Sequence, residues 1–328
     1  MYDVTALGEL LLDFTPNGTS ENGSLLLERN PGGAPANVLA ALAKLNKQTA
    51  FIGKIGNDQF GHFLHEVLKE NHINTNGLIF SKDINTTLAF VHLDADGDRS
   101  FSFYRNPGAD MTLDSKEINK EIIRNSRIFH FGSISMTHEP AAAATLEAVK
   151  YAKEQGKIIS FDPNLRMSLW DTPDHAKQKI LEGLEFADVL KISEEEFQFI
   201  TGYTDLEEGT KYLCSHYGVS LVFVTMGKKG CFYRIGDYTS IKEGFKVNAV
   251  DTTGAGDAFC GGVLYKLIEK GEHPSQLKVF EVENIALFAN ALAATSTTKK
   301  GGIPSMPSLS QVEVFLNELK NSVDSIGL

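Results

Sequence analysis

Between residues 115 and 226, short apolar runs alternate with helix-length amphipathic segments, and that alternation leaves the chain few architectures. The spacing predicts strands at 127–131, 157–162, 188–192 and 221–226. Helices are expected at 115–124, 139–155, 173–186, 194–200 and 205–217. Strands joined by helices of this length need right-handed crossovers, which gives an α/β fold with a mainly parallel sheet flanked by helices on both faces. Residues 231–235 and 239–247 predict two added antiparallel strands, followed by helices at 276–296 and 309–323.

The N-terminal third departs from this rhythm. Residues 4–14 predict an opening strand, an apolar run interrupted by Glu9 and Asp13, and residues 25–28 a short returning strand. A helix at 36–45, a strand at 48–53, a helix at 60–70 and a short strand at 78–80 resume the alternation. Residues 86–93 and 99–105 then alternate in polarity around Asp94-Ala95-Asp96-Gly97-Asp98, a hairpin signal. This hairpin is expected to pair with the strands near 12–30, so that about 12–30 and 85–106 form a small β-sheet lid. No repeat or low-complexity linker divides the 328 residues, which read as a single domain carrying that lid.

The stretch with the most chemistry is Asp251-Thr252-Thr253-Gly254-Ala255-Gly256-Asp257, which leads into the apolar helical segment from Ala258 to Ile268. Small residues before a helix let its first N–H groups face outward, where the dipole favours an anion such as a phosphate. Taken singly, these glycines are turn chemistry and Asp257 is a first-turn acid. Together they place a carboxylate at an anion site, which suits a base accepting a hydroxyl proton during phosphoryl transfer. The same positive field is expected to lower the pKa of Asp257.

Net charge of −11 and a pI near 5.3 argue against a general affinity for nucleic acid or an anionic membrane. No apolar run approaches the roughly 18 residues of a membrane span. Cys214, Cys231 and Cys260 are widely spaced, and the first residues include Asp3 and Glu9 where a basic leader would be positive, so a cytoplasmic protein is expected. GxxxxGK[ST], GxGxxG and HExxH are all absent, which disfavours a P-loop enzyme, a dinucleotide-dependent dehydrogenase and a zinc site. His130, in an apolar strand, reads as a core histidine. Three polar clusters follow predicted strands: Asp162-Pro163-Asn164-Leu165-Arg166, Lys191-Ile192-Ser193-Glu194 and Thr225 to Gly230. In an open α/β sheet this is the rim where ligands bind.

On these residues the chain resembles the ribokinase-type (PfkB) family of sugar kinases. Pro31-Gly32-Gly33-Ala34-Pro35-Ala36-Asn37 is similar to its N-terminal signature and Asp251 to Gly262 to its C-terminal one. Phe101 to Asp110 and Phe161 to Arg166 are most similar to fructokinases within it. The resemblance implies a ribokinase-like fold and ATP-dependent phosphorylation of a primary sugar hydroxyl, with fructose as the first choice of sugar. It implies Asp257 as base and the amides of Gly254, Ala255 and Gly256 as the anion hole. Asp13, Gly32, Gly33, Asn37, Phe103, Arg105 and Arg166 are implied at the sugar. Asn164, Lys191, Thr225, Gly227, Gly230 and Asn290 are implied at the nucleotide. Glu194 is implied in organising Mg²⁺ through water, and Asp251 and Thr253, with the turn Lys300-Gly301-Gly302, in holding a monovalent cation such as K⁺. Lys191 stands where the family's usual Asn is expected, three residues before Glu194, and adds a cation for ATP phosphates.

Three alternatives stay open. A 2-keto-3-deoxygluconate kinase would use Arg105 and Arg166 on a carboxylate. An aminoimidazole riboside or nucleoside kinase is the second. A sugar-sensing protein without turnover is the third, although it has no use for a base at Asp257. The unpaired edges of the lid sheet give a homodimer as the expected partner arrangement.

Overall fold

In the computed structural model, which describes residues 1–93 and 99–325, the chain runs from strand to helix as its apolar periodicity requires. The first part comprises β1 (Tyr2–Leu7), β2 (Leu11–Thr19), β3 (Leu25–Gly32), α1 (Ala34–Lys44), β4 (Thr49–Gly56), α2 (Gln59–Glu70) and β5 (Ile73–Ser81). Next come β6 (Leu88–Leu93), β7 (Arg99–Tyr104), α3 (Lys120–Arg124), β8 (Ser126–Phe131), α4 (Ala141–Glu154), β9 (Ile158–Phe161) and α5 (Pro173–Leu184). Then follow β10 (Val189–Ser193), α6 (Glu194–Thr201), α7 (Leu206–Tyr217), β11 (Leu221–Thr225), β12 (Gly230–Ile235) and β13 (Tyr238–Glu243). The chain closes with α8 (Ala255–Lys270), α9 (Val279–Ser296) and α10 (Leu309–Ser325). The turn expected at Asp94 to Asp98 lies outside the described residues.

Nine strands form one sheet in the order β13-β12-β11-β10-β9-β8-β1-β4-β5. All neighbours from β11 to β5 pair parallel, and at one edge β12 pairs antiparallel with both β11 and β13. Alternating side chains serve two cores: Phe51 and Phe223 pack with α1, α8 and α9 on one face, while Ile52 and Val224 join the α4 to α7 side on the other. Helix α8 is packed tightly against its neighbours: a Cβ at Gly261 would lie 2.7 Å from the Ala41 Cβ, and one at Gly262 would lie 2.8 Å from the Ala289 Cα. The glycine pair in the motif is therefore a packing requirement, set by α1 on one side and α9 on the other.

The second sheet has the order β3-β2-β6-β7, with β2 and β6 paired in parallel. Its outer strand β3 exposes Leu25, Leu26 and Leu27, the kind of apolar edge a second copy would need. Among the described residues no helix is long and apolar enough to cross a membrane. Cys214, Cys231 and Cys260 are all free thiols.

Several boundaries differ from the expected ones. The single strand expected at 4–14 is two strands in different sheets, because the chain leaves the main sheet after Leu7 and Glu9 turns to accept a hydrogen bond from the Ala34 N–H at 2.8 Å. The return strand runs to Gly32, well past residue 28, and the strand expected at 78–80 begins at Ile73. The helix expected at 115–124 is a 3₁₀ turn at Ser115–Glu117 followed by the short α3. The strand expected to reach residue 247 ends at Glu243, and the helix expected from 276 is a 3₁₀ turn at Pro274–Gln276 before α9.

Candidate active site

Two cavities open beyond the carboxyl ends of the parallel strands and meet at one loop. The smaller, about 300 Å³, has Asp13, Asn30, Asn37, Asn164, Arg166 and Asp257 among its polar walls, with Val91 and Phe103 reaching in from the small sheet. The larger, about 700 Å³, lies between Thr225 to Gly230, the irregular segment Gly244 to Ala249, and α9 at Asn290, Ala293 and Ala294. Thr252 and Gly256 line both.

That shared loop is shaped by Gly254, the N-cap of α8, which sits at φ 75° and ψ 1° in the left-handed region and supplies no side-chain cap. The helix end is thus left for an anion. Asp251 braces the loop: Oδ1 accepts from the Thr253 N–H at 2.9 Å and its hydroxyl at 2.8 Å, while Oδ2 accepts from the Gly301 N–H at 2.9 Å.

Asp257 sits in the first turn of α8, 6% exposed. Asn37 Nδ2 donates to its Oδ2 at 2.8 Å and Asn164 Nδ2 to its Oδ1 at 3.4 Å, so the first turn of α1 and the loop after β9 converge on one carboxylate. The expected fall in its pKa is not what the structure gives. Burial raises the pKa, and it outweighs the opposing pull of the Asn37 hydrogen bond and of the Lys191 and Arg166 charges. A carboxylate raised in this way is a better proton acceptor than one at its ordinary value.

Asp13, on β2, is pushed up to about 6 by burial, with Arg166 pulling the other way. Glu9, buried between β1 and β2, is pushed up to about 7, chiefly by burial. It also lines the smaller cavity. The sequence marks it as an acid inside an apolar run, the one available sign of its place here.

Of the residues expected at the sugar, Asp13, Gly32, Gly33, Asn37, Phe103 and Arg166 line the smaller cavity. Arg105 does not. Its guanidinium is buried and turned away: Nε donates to Asp110 at 2.7 Å, Nη1 to the Thr137 hydroxyl at 2.9 Å and Nη2 to the Ile134 carbonyl at 3.1 Å. Asn164, expected at the nucleotide, also lines the smaller cavity. Thr225, Gly227, Gly230 and Asn290 line the larger one, where Asn290 donates to the Lys242 and Glu243 carbonyls and so fixes the end of β13.

Lys191 and Glu194 line neither cavity. Lys191 lies behind the loop, its Nζ 2.9 Å from Asp162 Oδ2. Glu194 faces outward, 3.9 Å from the Lys229 ammonium, while Glu196 is the buried acid of that turn. Glu196 forms a capping box with Ser193 and accepts from the Leu165 N–H at 2.6 Å, which ties the loop bearing Asn164 and Arg166 to α6. His130 is a core residue: it pairs with the Ser160 hydroxyl at 3.0 Å, and burial followed by the Lys191 charge pushes it down to about 3. Among the described residues no group of three or more His, Cys, Asp or Glu side chains is arranged to hold a metal ion.

A family model described as pfkB family carbohydrate kinase matches residues 1–309. The chain is 43% identical over 316 residues to a protein of Arabidopsis thaliana named probable fructokinase-2, covering 95% of each chain. It is similar to the structure of a fructokinase from Xylella fastidiosa with bound ATP, with a TM-score of 0.90, 31% identity, and coverage of 98% of this chain and 100% of that one. A fructokinase variant from Vibrio cholerae O395, solved with fructose, ADP and a potassium ion, gives a TM-score of 0.87 at 34% identity, covering 96% and 98% of the two chains.

Proposed function

The chain belongs to the pfkB family of carbohydrate kinases, and from that premise we propose that it transfers the γ-phosphoryl group of ATP to the 6-hydroxyl of fructose. The observation that carries this reading is the meeting of the two cavities at Thr252 and Gly256, with Asp257 in the wall of the smaller one. Fructose occupies the smaller cavity, where Asp13 and Asn37 accept and donate to its hydroxyls. The nucleotide occupies the larger, with its base among Ala293, Ala294 and Val247 and its phosphates at the loop. Asp257 takes the proton of the attacking hydroxyl while the α8 N-terminus, Arg166 and Lys191 set positive potential around the transferring group. A divalent ion would enter with the nucleotide as MgATP, held by the phosphates and water and not by a protein carboxylate cluster. The small sheet, through Val91 and Phe103, covers the sugar and serves as its lid. A cytoplasmic location completes the reading, consistent with three free thiols.

With Arg105 engaged by Asp110, an acidic sugar would meet Arg166 alone at the place where two arginines were expected. A panel of fructose, 2-keto-3-deoxygluconate, ribose, adenosine and aminoimidazole riboside with MgATP tests the assignment. Fructose should lead in kcat/KM by about tenfold or more. A higher kcat/KM for the acidic sugar overturns fructose, and sugar-independent silence of ADP release across the whole panel overturns kinase activity in favour of a sensor.

The bracing of the loop by Asp251 motivates a second expectation, that a potassium ion beside Asp251 and Gly301 fixes the loop from behind. Replacing potassium by tetramethylammonium at equal ionic strength should lower kcat/KM, and identical rates in the two salts would remove the ion from the reading.

A further inference from the structure

Asp162 follows β9 and is completely buried, yet neither carboxylate oxygen receives a hydrogen bond of good geometry. Its one ion-pair partner among the described residues is Lys191, 2.9 Å from Oδ2 and itself 5% exposed. A buried ion pair is an expensive way to fill a core, since apolar residues of the same volume are commonly as stabilising or more so. This one stands directly behind the anion loop: a Cβ at Gly256 would lie 2.9 Å from the Lys191 Nζ, so any side chain there would have to displace the ammonium. Gly256 is also one of the two residues that line both cavities.

The Lys191 ammonium is faced by carboxylates from three directions. Burial alone would favour loss of its proton, but Asp162 just after β9, Glu196 from α6 and Asp257 from α8 outweigh this, and the pKa is raised. The neutral His130 on β8 and the buried Cys260 thiol are the other titratable groups that sense this charge. Glu196 is already committed to the Ser193 and Leu165 N–H groups, and Asp257 to Asn37 and Asn164. Asp162 alone has no other duty.

We propose that Asp162 is a positioning residue for phosphoryl transfer: it acts through Lys191, holding the ammonium behind Gly256, aimed at the anion loop and away from the base Asp257. Without the Asp162 charge, the attractions left to Lys191 are the Glu196 carboxylate and then that of Asp257. A Lys191–Asp257 pair would neutralise the base and withdraw positive potential from the phosphates. Asp162 touches neither substrate.

This proposal rests on the fructokinase reading, and steady-state kinetics with fructose and MgATP separate the two, because wild type without fructose-dependent ADP release would sink that reading before any variant is compared. Lys191→Met should lower kcat about 10²-fold, in the range for loss of one preorganised electrostatic group. Asp162→Asn should lose as much within about threefold, with KM for fructose nearly unchanged. The double variant Asp162→Asn/Lys191→Met removes both buried charges, should melt no lower than wild type, and should be no slower than Lys191→Met alone. A double variant that regains kcat within about threefold of wild type shows a purely structural pair and overturns the proposal. Losses that multiply in the double variant show Asp162 acting independently of Lys191 and overturn it too. An Asp162→Asn enzyme with near wild-type kcat does the same. If Asp162→Asn alone fails to fold, the folded double variant decides: as slow as Lys191→Met upholds the assignment, and restored turnover defeats it.

Discussion

Asp257→Asn should cut kcat for fructose phosphorylation about 10²–10⁴-fold while changing the fructose dissociation constant by no more than about threefold. The asymmetry follows from where the carboxylate acts. Its two oxygens already receive Asn37 and Asn164, and the amide of Asn preserves the shape and one acceptor for those contacts. What is lost is the ability to take a proton, which counts only as the hydroxyl attacks. The pH dependence has a definite sign. Because burial raises the pKa of Asp257, the base form is depleted as pH falls, and the acid limb of kcat should lie above the ordinary carboxylate range. An Asp257→Asn enzyme that turns over at near the wild-type rate, with its melting temperature intact, would place the base elsewhere.

The same residue shows how far sequence reasoning reaches. The anion loop, the helix behind it and the acid in its first turn were all legible in Gly254-Ala255-Gly256-Asp257, because glycine spacing and apolar periodicity are local properties. The direction of the Asp257 pKa was not, since it turns on a competition between the helix dipole and burial, and burial depends on α1 and the Asn164 loop closing over the site. Arg105 illustrates the same limit. Its position just after β7 of the small sheet is visible in the sequence, but nothing there shows that Asp110 captures the guanidinium five residues on. The run 4–14 read as one strand because both of its halves bury apolar side chains. The break at Glu9 is made by a hydrogen bond to Ala34, twenty-five residues away. The wall from Gly244 to Ala249 left no motif at all, because irregular backbone can line a cavity without any particular side chains. By contrast, the parallel pairing within the main sheet and the two added antiparallel strands follow from segment lengths and were foreseen, though the order of the strands was not.

The second large effect concerns Asp13, whose carboxylate stands at the cavity wall with its pKa raised to about 6 by burial. Two neighbouring hydroxyls of a bound sugar can donate to its two oxygens, and hydrogen bonds to a charged acceptor are worth about 1.5–3 kcal/mol each. Asp13→Ala should therefore weaken fructose binding by at least about 10²-fold while leaving a non-hydrolysable ATP analogue nearly unaffected, because the nucleotide cavity lies on the far side of the loop. The sign of the stability change separates this role from that of a turn cap near Thr15. A carboxyl raised from its ordinary value of 3.8 to about 6 by folding costs the unliganded protein stability as pH rises through that interval, so its removal should leave the melting temperature at pH 7.5 unchanged or higher. A cap would instead lose stability on truncation. Sugar donors stabilise the ionised form, so fructose should bind more weakly as pH falls through about 6, and binding near that pH should release protons to the buffer. Glu9 titrates near 7 on the same cavity, which makes Asp13→Ala the necessary control. Calorimetric titration at pH 5.0 and 7.5, in buffers of different ionisation enthalpy, reads both quantities. Proton release that survives intact in Asp13→Ala, or fructose affinity that is unchanged by the substitution, would remove Asp13 from the sugar site.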